Sequence, residues 1–186
     1  MRGIALTAAL VALGGAGMAQ EADLVLEVAG KGEIAIDLFE DRAPAHAERL
    51  RTLAADGAYD GVVFHRVIEG FMAQTGDVEF GTLEKFGEGL AGTGGSELPD
   101  LPAEFSDISF ERGIVGMARA AHPDSANSQF FIMFEPMPHL DGEYTAVGRV
   151  VDGMDVVDDL KRGDGPNGAV LSDPDVIERA RVPGAE

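Results

Sequence analysis

Apolar and polar residues alternate in two short segments near the start of the chain. Residues 23–28 and 33–38 each carry apolar side chains at every second position, which is the period of a β-strand with one buried face. Residues 29–32 between them include Gly30 and Gly32, and glycines favour a tight connection between strands. The pattern therefore predicts a β-hairpin at the start of the fold.

The period then changes to that of a helix. Pro44 suits the first turn of a helix, and residues 46–55 place apolar residues such as Ala47 and Leu50 at spacings of three to four. Gly57 follows as a stop signal. We predict one amphipathic helix in this segment.

The remainder of the chain predicts mainly strands. A second, short helix is predicted over residues 154–161, ended by Arg162 and Gly163. Spacing alone supports a β-rich barrel or sandwich with two helices. Six further strands are predicted at residues 62–66, 71–75, 113–118, 129–134, 145–151 and 176–182.

Residues 80–105 have no sustained period and predict a long surface loop. The loop contains the pattern G-x-G-x-x-G at Gly87, Gly89 and Gly92. A dinucleotide site needs a strand before this pattern and a helix after it, and the flanking residues predict neither. A nucleotide site is the less favoured interpretation.

The first residues have the pattern of a secretory signal peptide. Arg2 precedes an apolar run over residues 4–17, and Gly17 and Ala19 supply small residues for cleavage after Ala19. A membrane anchor is the alternative, but the run has about 14 residues and a spanning helix needs roughly 20. We expect a signal peptide at residues 1–19, one domain at residues 20–186, a periplasmic location and no membrane association after cleavage.

Charge and cysteine content narrow the function classes. The chain has 33 acidic and 14 basic residues, a formal net charge of −19, so nucleic acid is not expected as a partner. It contains no cysteine, which excludes disulfides, thiolate metal sites and a lipid-modified cysteine.

Two motifs indicate the chemistry. Residues 64–77 read FHRVIEGFMAQTGD, and residues 128–132 read SQFFI. These segments resemble the active face of cyclophilin-type peptidyl-prolyl cis-trans isomerases, and residues 138–145 resemble the bacterial members. The resemblance extends from about Asp23 to Val182. It implies a mainly β fold, a closed eight-stranded antiparallel β-barrel capped by two α-helices.

The chemistry implied by this resemblance needs one well-placed cation. A peptide bond resists rotation by about 18–20 kcal/mol, and a guanidinium that hydrogen-bonds the prolyl nitrogen favours the twisted state. The resemblance gives this catalytic role to Arg66; without the motif, a surface ion pair is the better interpretation. Because no bond is made or broken, no cofactor and no metal are expected.

Strand parity predicts the binding face. Met72 and Gln74 share one face of an extended segment, as do Gln129 and Phe131 on another; the alternative for the apolar pair is plain core. The resemblance adds Phe71 and Leu140 to a proline slot, and Ala118 and Arg119 to the edge along which the substrate lies. The expected substrate-binding residues are Phe71, Met72, Gln74, Ala118, Arg119, Gln129, Phe131, His139, Leu140 and Tyr144.

Three of these residues depart from the best-known eukaryotic pattern. Arg119 stands where an asparagine is usual, His139 where a tryptophan is common, and Tyr144 where a histidine is common. Arg119 places a side-chain contact with the substrate in question. Histidine offers a smaller ring than tryptophan, so we expect weak binding of the cyclic peptide cyclosporin.

Other chemistries have little support. The histidines form no i, i+4 pair, calcium would find only a weak acidic cluster at Asp155, Asp158 and Asp159, and Ser125 and Ser128 lack a nucleophile-elbow pattern. Two function classes remain. One is an isomerase acting on proline-containing, unfolded exported proteins, and the other is a proline-peptide binding or chaperone module with little turnover. A barrel that carries a small hydrophobic ligand is a more distant third possibility.

Overall fold

The computed structural model describes residues 22–184. The predicted signal peptide at residues 1–19 lies outside the described residues. Within residues 22–184, eight strands form one sheet, accompanied by two α-helices. The elements are β1 Leu24–Val28, β2 Gly32–Leu38, α1 Pro44–Ala55, β3 Arg66–Ile68, β4 Met72–Thr75, β5 Ile114–Met117, β6 Phe130–Met133, β7 Ala146–Asp152, α2 Met154–Asp158 and β8 Ile177–Arg181.

The opening hairpin is confirmed, and the alternation that predicted it has a physical basis. β1 pairs antiparallel with β2, with Leu24 opposite Ile36 and Leu26 opposite Ile34. All four of these side chains are fully buried in the main hydrophobic cluster. Burying one face of each strand therefore sets the register, because a slip by one residue would expose the whole apolar set.

The expectation of a closed barrel is wrong. The strand order is β3-β4-β6-β5-β7-β2-β1-β8, and the sheet is an open, strongly curled half-barrel whose edge strands β3 and β8 do not pair as strands. The outer edge of β3 is covered by another segment, since Gly163 donates a hydrogen bond to the Val67 carbonyl and Val170 donates one to the His65 carbonyl. The residues before β3 contact those at the start of β8 through the isolated bridge of Val63 with Val176 and through backbone hydrogen bonds, such as that from the Phe64 amide to the Asp175 carbonyl.

Two predicted elements differ from the observed ones. The strand predicted at residues 62–66 overlaps β3 at Arg66 alone, and Val62 and Val63 instead make isolated bridges with Thr82 and Val176. The second helix ends at Asp158 and does not reach residue 161. Residues 159–161 instead turn back toward the sheet, where the Lys161 amide donates to the Asp175 carboxylate.

Helix α1 begins at Pro44, as predicted, and buries Ala47, Leu50 and Leu53 against the sheet. The same helix buries two polar side chains, His46 and Arg49. Both side chains contact the long loop, since His46 contacts Glu104 and Arg49 donates to the Pro99 carbonyl.

Residues 80–105 form the predicted long loop, with only a short 3₁₀ turn at Phe86–Glu88 and no strand of their own. Its last part is attached to α1. Arg49 donates to the Pro99 carbonyl at 2.7 Å, and the Glu104 carboxylate accepts a 2.6 Å contact from His46 Nδ1. The loop is thus held against the body of the protein by buried polar contacts.

Neither helix within residues 22–184 combines the length and apolar character that crossing a membrane requires.

Candidate active site

Four neighbouring strands bring the motif residues into one row. β3, β4, β6 and β5 lie side by side, and the register places Arg66 opposite Gln74, Gln74 opposite Phe131, and Phe131 opposite Gly116. Residues at alternate positions, such as Ile132, point into the main core instead. The row occupies the other face of the sheet, over a second, smaller hydrophobic cluster.

Arg66 is held by contacts on two sides. Its Nε donates to the Asn167 carbonyl at 2.9 Å, and its Nη1 donates to Gln74 Oε1 at 3.1 Å and lies 3.9 Å from Met72 Sδ. Its Nη2 donates to none of the described residues. Burial lowers the pKa of the Arg66 guanidinium, and the nearby Tyr144 partly offsets this. The side chain is therefore an oriented cation with donors free for a substrate.

The amide of Gln74 continues this contact into the protein. Its Nε2 donates to Gln129 Oε1 at 2.9 Å, and Gln129 Nε2 donates to the Gly94 carbonyl at 2.8 Å. A chain of hydrogen bonds thus runs from Asn167 through Arg66, Gln74 and Gln129 to the long loop. Each side chain in this chain of hydrogen bonds is held at both ends, which limits the conformations available to Arg66.

An apolar pocket of about 130 Å³ lies beside Arg66. Phe131 forms its floor, and its ring stacks on Phe110 at 5.9 Å between centroids and meets Tyr144 edge-on at 5.8 Å. The pocket is lined by Arg66, Phe71, Met72, Gln74, Ala118, Arg119, Phe131, Leu140 and Tyr144.

Nine of the predicted site residues therefore line one pocket, and two do not. Gln129 lies in an adjoining pocket and reaches the first through Gln74. His139 is exposed on the 3₁₀ turn Pro138–Leu140, with its ring 6.5 Å from that of Phe71. The catalytic and binding roles of all eleven residues stay predictions, but their grouping is a feature of the fold.

The adjoining pocket is larger, about 480 Å³, and more polar. It shares Gln74, Ala118 and Arg119 with the first pocket. The long loop supplies its far wall through residues 92–96. A peptide extending past the apolar pocket would meet this second space.

Asp77 shapes the long loop where it meets the site. Its buried carboxylate accepts hydrogen bonds from the backbone amides of Glu79, Phe80, Gly92 and Gly94. Burial by itself raises the pKa of Asp77, but these amide contacts outweigh it and leave the pKa below its usual value. Amides in the glycine-rich segment are thus engaged with a carboxylate of the protein itself.

Sequence reasoning missed three contributors to the site. Asn167 provides a carbonyl for Arg66 from a 3₁₀ turn about one hundred residues away, and it holds a positive φ of 55°. Gly116 has no side chain where a Cβ would lie 2.4 Å from Phe131 Cζ and 2.6 Å from Phe110 Cε1. Phe110, whose ring stacks on Phe131, is the third contributor. The sequence could not indicate that Gly116 and Phe110 lie next to Phe131, because that proximity depends on how the chain folds.

His65, next to Arg66, is buried, and its ring nitrogens have no hydrogen-bond partner among the described residues. Burial lowers the pKa of His65 to about 4, so the ring is neutral at neutral pH. Within residues 22–184, no group of three or more His, Asp or Glu side chains is arranged to hold a metal ion.

Comparison with known proteins points to one family. Residues 24–182 match the family described as cyclophilin type peptidyl-prolyl cis-trans isomerase/CLD. A Brucella suis protein named probable peptidyl-prolyl cis-trans isomerase is 55% identical over 152 residues, covering 81% of this chain and 78% of that protein. The human peptidyl-prolyl cis-trans isomerase-like 3 is 40% identical over 131 residues, covering 70% of this chain and 77% of that protein.

Solved structures agree with this match. A cyclophilin-type isomerase from Cryptosporidium parvum, crystallised in the presence of the dipeptide Ala-Pro, gives a TM-score of 0.72 at 25% identity, over 86% of this chain and 97% of that chain. A cyclophilin from Hirschia baltica gives a TM-score of 0.72 at 25% identity, over 89% of this chain and 75% of that chain.

Proposed function

This chain belongs to the family of cyclophilin-type peptidyl-prolyl cis-trans isomerases, and we propose that it accelerates X-Pro isomerisation in polypeptides that fold after export. Uncatalysed X-Pro isomerisation takes tens to hundreds of seconds at 25 °C and can limit folding. An enzyme that shortens this step would act on unfolded or partly folded chains, which expose their prolines.

The observation that carries the proposal is a cation at the mouth of an apolar pocket. The space beside Phe131 and Met72, about 130 Å³, suits a pyrrolidine ring. Arg66 lines the same pocket and keeps Nη2 free of partners among the described residues. A proline seated on Phe131 would place its nitrogen close to this guanidinium.

The geometry explains how rotation is eased. As the C–N bond twists, the prolyl nitrogen loses its resonance with the carbonyl and regains a lone pair that can accept a hydrogen bond. A donor already oriented by Asn167 and Gln74 stabilises this twisted state without reorganising. Its half-buried position strengthens the contact, because fewer water molecules compete for it.

The export part of the proposal is supported by the first residues. The apolar run over residues 4–17, followed by Gly17, Met18 and Ala19, has the form of a cleaved secretory signal. Chains that cross a membrane unfolded must isomerise their prolines afterwards, so an isomerase placed there has abundant substrates.

A protease-free assay of cis-to-trans relaxation tests the activity. The protein beginning at Gln20 is mixed with a short peptide containing Ala-Pro, and the rate is compared with that of the peptide alone. We expect a rate that increases linearly with enzyme concentration. A rate at background, with the peptide still bound in calorimetry, would favour a proline-peptide binding module.

Fractionation tests the location. The full-length chain, expressed in a Gram-negative host, should be recovered from the periplasm with Gln20 as its first residue, and deletion of residues 1–19 should leave active enzyme in the cytoplasm. A product that retains Met1 and sediments with membranes would contradict cleavage and indicate an anchor.

A further inference from the structure

Arg119 joins two segments that border the apolar pocket. Its Nη1 donates to the carbonyls of Ala120 and Ala121 at 3.1 and 3.3 Å, and its Nη2 donates to the Glu143 carbonyl at 3.1 Å. One guanidinium therefore connects the residues after β5 with those before β7. The side chain is turned toward the protein by these bonds.

The same guanidinium lies over the ring of Tyr144, 4.5 Å from its centroid. The ring also meets Phe131 edge-on at 5.8 Å. Tyr144 is thus held between Arg119 and Phe131. Arg66 lines the same pocket as Tyr144 and Phe131, so the position of this ring affects both the floor of the pocket and the space beside its cation.

Arg119 Nε is buried without a partner among the described residues. A buried donor with no acceptor is unfavourable, so packing alone would not select arginine here. The carbonyl contacts and the aromatic ring offset this cost, and a lysine or glutamine could not make them together because only arginine presents a planar fork of donors.

We propose that Arg119 is a positioning residue that acts through Tyr144. It clamps the Tyr144 ring against Phe131 and thereby fixes one wall of the proline pocket, a role that rests on the proposed isomerase function. The wall contacts the proline in both the ground state and the twisted state. Loss of the clamp should therefore weaken binding of both states alike and appear in KM.

Steady-state kinetics on an Ala-Pro peptide measure this effect. Arg119→Gln should raise KM by about fivefold to tenfold and change kcat by less than about twofold. Arg119→Lys, which keeps the charge but has a single donor nitrogen in place of the planar fork, should give an intermediate KM. Arg181→Gln serves as the control for loss of a hydrogen-bonded arginine, because Arg181 bonds Glu27 and Glu33, lies at the end of the edge strand β8 and does not line the apolar pocket.

Two measurements separate the clamp from other roles. In a Tyr144→Leu background, Arg119→Gln should raise KM no further, because the ring on which it acts is absent. Tyrosine fluorescence reports the ring directly, since the chain has two tyrosines and no tryptophan and Tyr59 is fully buried. Acrylamide should quench the tyrosine fluorescence of Arg119→Gln more than that of wild type, because the Tyr144 ring is no longer covered by the guanidinium.

The outcomes are distinct. An inactive wild-type enzyme would refute the proposed function, whereas an active wild type with an unchanged Arg119→Gln variant would refute the clamp alone. Two results would show direct contact of Arg119 with the substrate and overturn the proposal. One is an increase in KM from Arg119→Gln that adds fully to the increase from Tyr144→Leu. The other is an increase in KM that occurs only with peptides that have an acidic residue before proline. A lowered melting temperature with unchanged KM would show a purely structural role and also overturn it.

Discussion

Single residues at this site act through the neighbours that orient them, and Arg66 is the clearest example. Its contacts to Asn167 and Gln74 fix the guanidinium before a substrate arrives. A donor fixed in advance gives more transition-state stabilisation than a mobile one, because it loses little freedom during the reaction.

Replacing Arg66 by alanine should remove most of the activity and leave the fold intact. Loss of one oriented donor lowers kcat/KM by about 10²–10³, while the half-buried side chain contributes little to the core. The relaxation assay and thermal unfolding measure the two effects. A variant that retains more than half of the wild-type rate would exclude Arg66 as the catalytic donor.

Asn167 offers a second test at the same scale. Its φ of 55° is accessible to asparagine and glycine but costs a β-branched residue about 1–2 kcal/mol. Asn167→Val should therefore distort the turn, move the carbonyl away from Arg66 Nε and lower kcat/KM by about tenfold. Asn167→Gly, which tolerates this φ, is the control and should keep most of the activity. Equal rates for the two variants would show that the carbonyl does not orient Arg66.

At the scale of elements, the close packing of β5 against β6 lets the aromatic floor lie flat on the sheet. Gly116 sits opposite Phe131 in the register, and both the Phe131 and Phe110 rings occupy the space that a side chain would need. A strand glycine is otherwise unfavourable, so its presence here is explained by the ring packing.

Gly116→Ala should displace the Phe131 ring into the proline pocket. We expect kcat/KM to fall by about tenfold to a hundredfold, because small misplacements at a reacting site are costly, and stability to fall by about 1–3 kcal/mol from overpacking. Gly87→Ala is the matched control, since no atom lies within 4 Å of its added Cβ. Wild-type kinetics in Gly116→Ala would mean that Phe131 does not need its present position.

At the scale of the whole molecule, buried histidines couple stability to pH. Burial lowers the pKa of His65 to about 4 and also lowers the pKa of His46. Below the unfolded pKa of about 6.5, the unfolded chain binds protons that the folded protein does not. Stability is therefore lost as the pH falls from 6.5 toward 4, with His65 contributing up to about 3 kcal/mol.

Denaturant unfolding at pH 7.5 and pH 4.5 measures this effect. Because protonation of the many carboxylates also changes the repulsion within this acidic protein, wild type should be compared with His65→Gln, which does not titrate. We expect the variant to lose less stability between the two pH values. An equal loss in both proteins would mean that His65 does not carry the pH dependence.

The alternating strands, the first helix and the sharing of one face by several pocket residues follow from the sequence alone. Alternation predicted the β1–β2 hairpin because each residue's burial follows from its parity, which is a local property. Parity also placed Met72 with Gln74 on one face. The motif resemblance predicts a catalytic role for Arg66 rather than for another arginine, since that role requires neighbours of defined type.

The contacts between segments that are remote in the sequence could be seen only in the folded protein. Residues 163–170 cover the outer edge of β3, and the same segment brings Asn167 to Arg66. The contact of the Arg119 side chain with the Tyr144 ring likewise depends on two loops that are about 25 residues apart in the sequence. Such contacts depend on the path of the chain in space and on which backbone groups still lack hydrogen-bond partners. The periodicity of apolar residues carries no information about either.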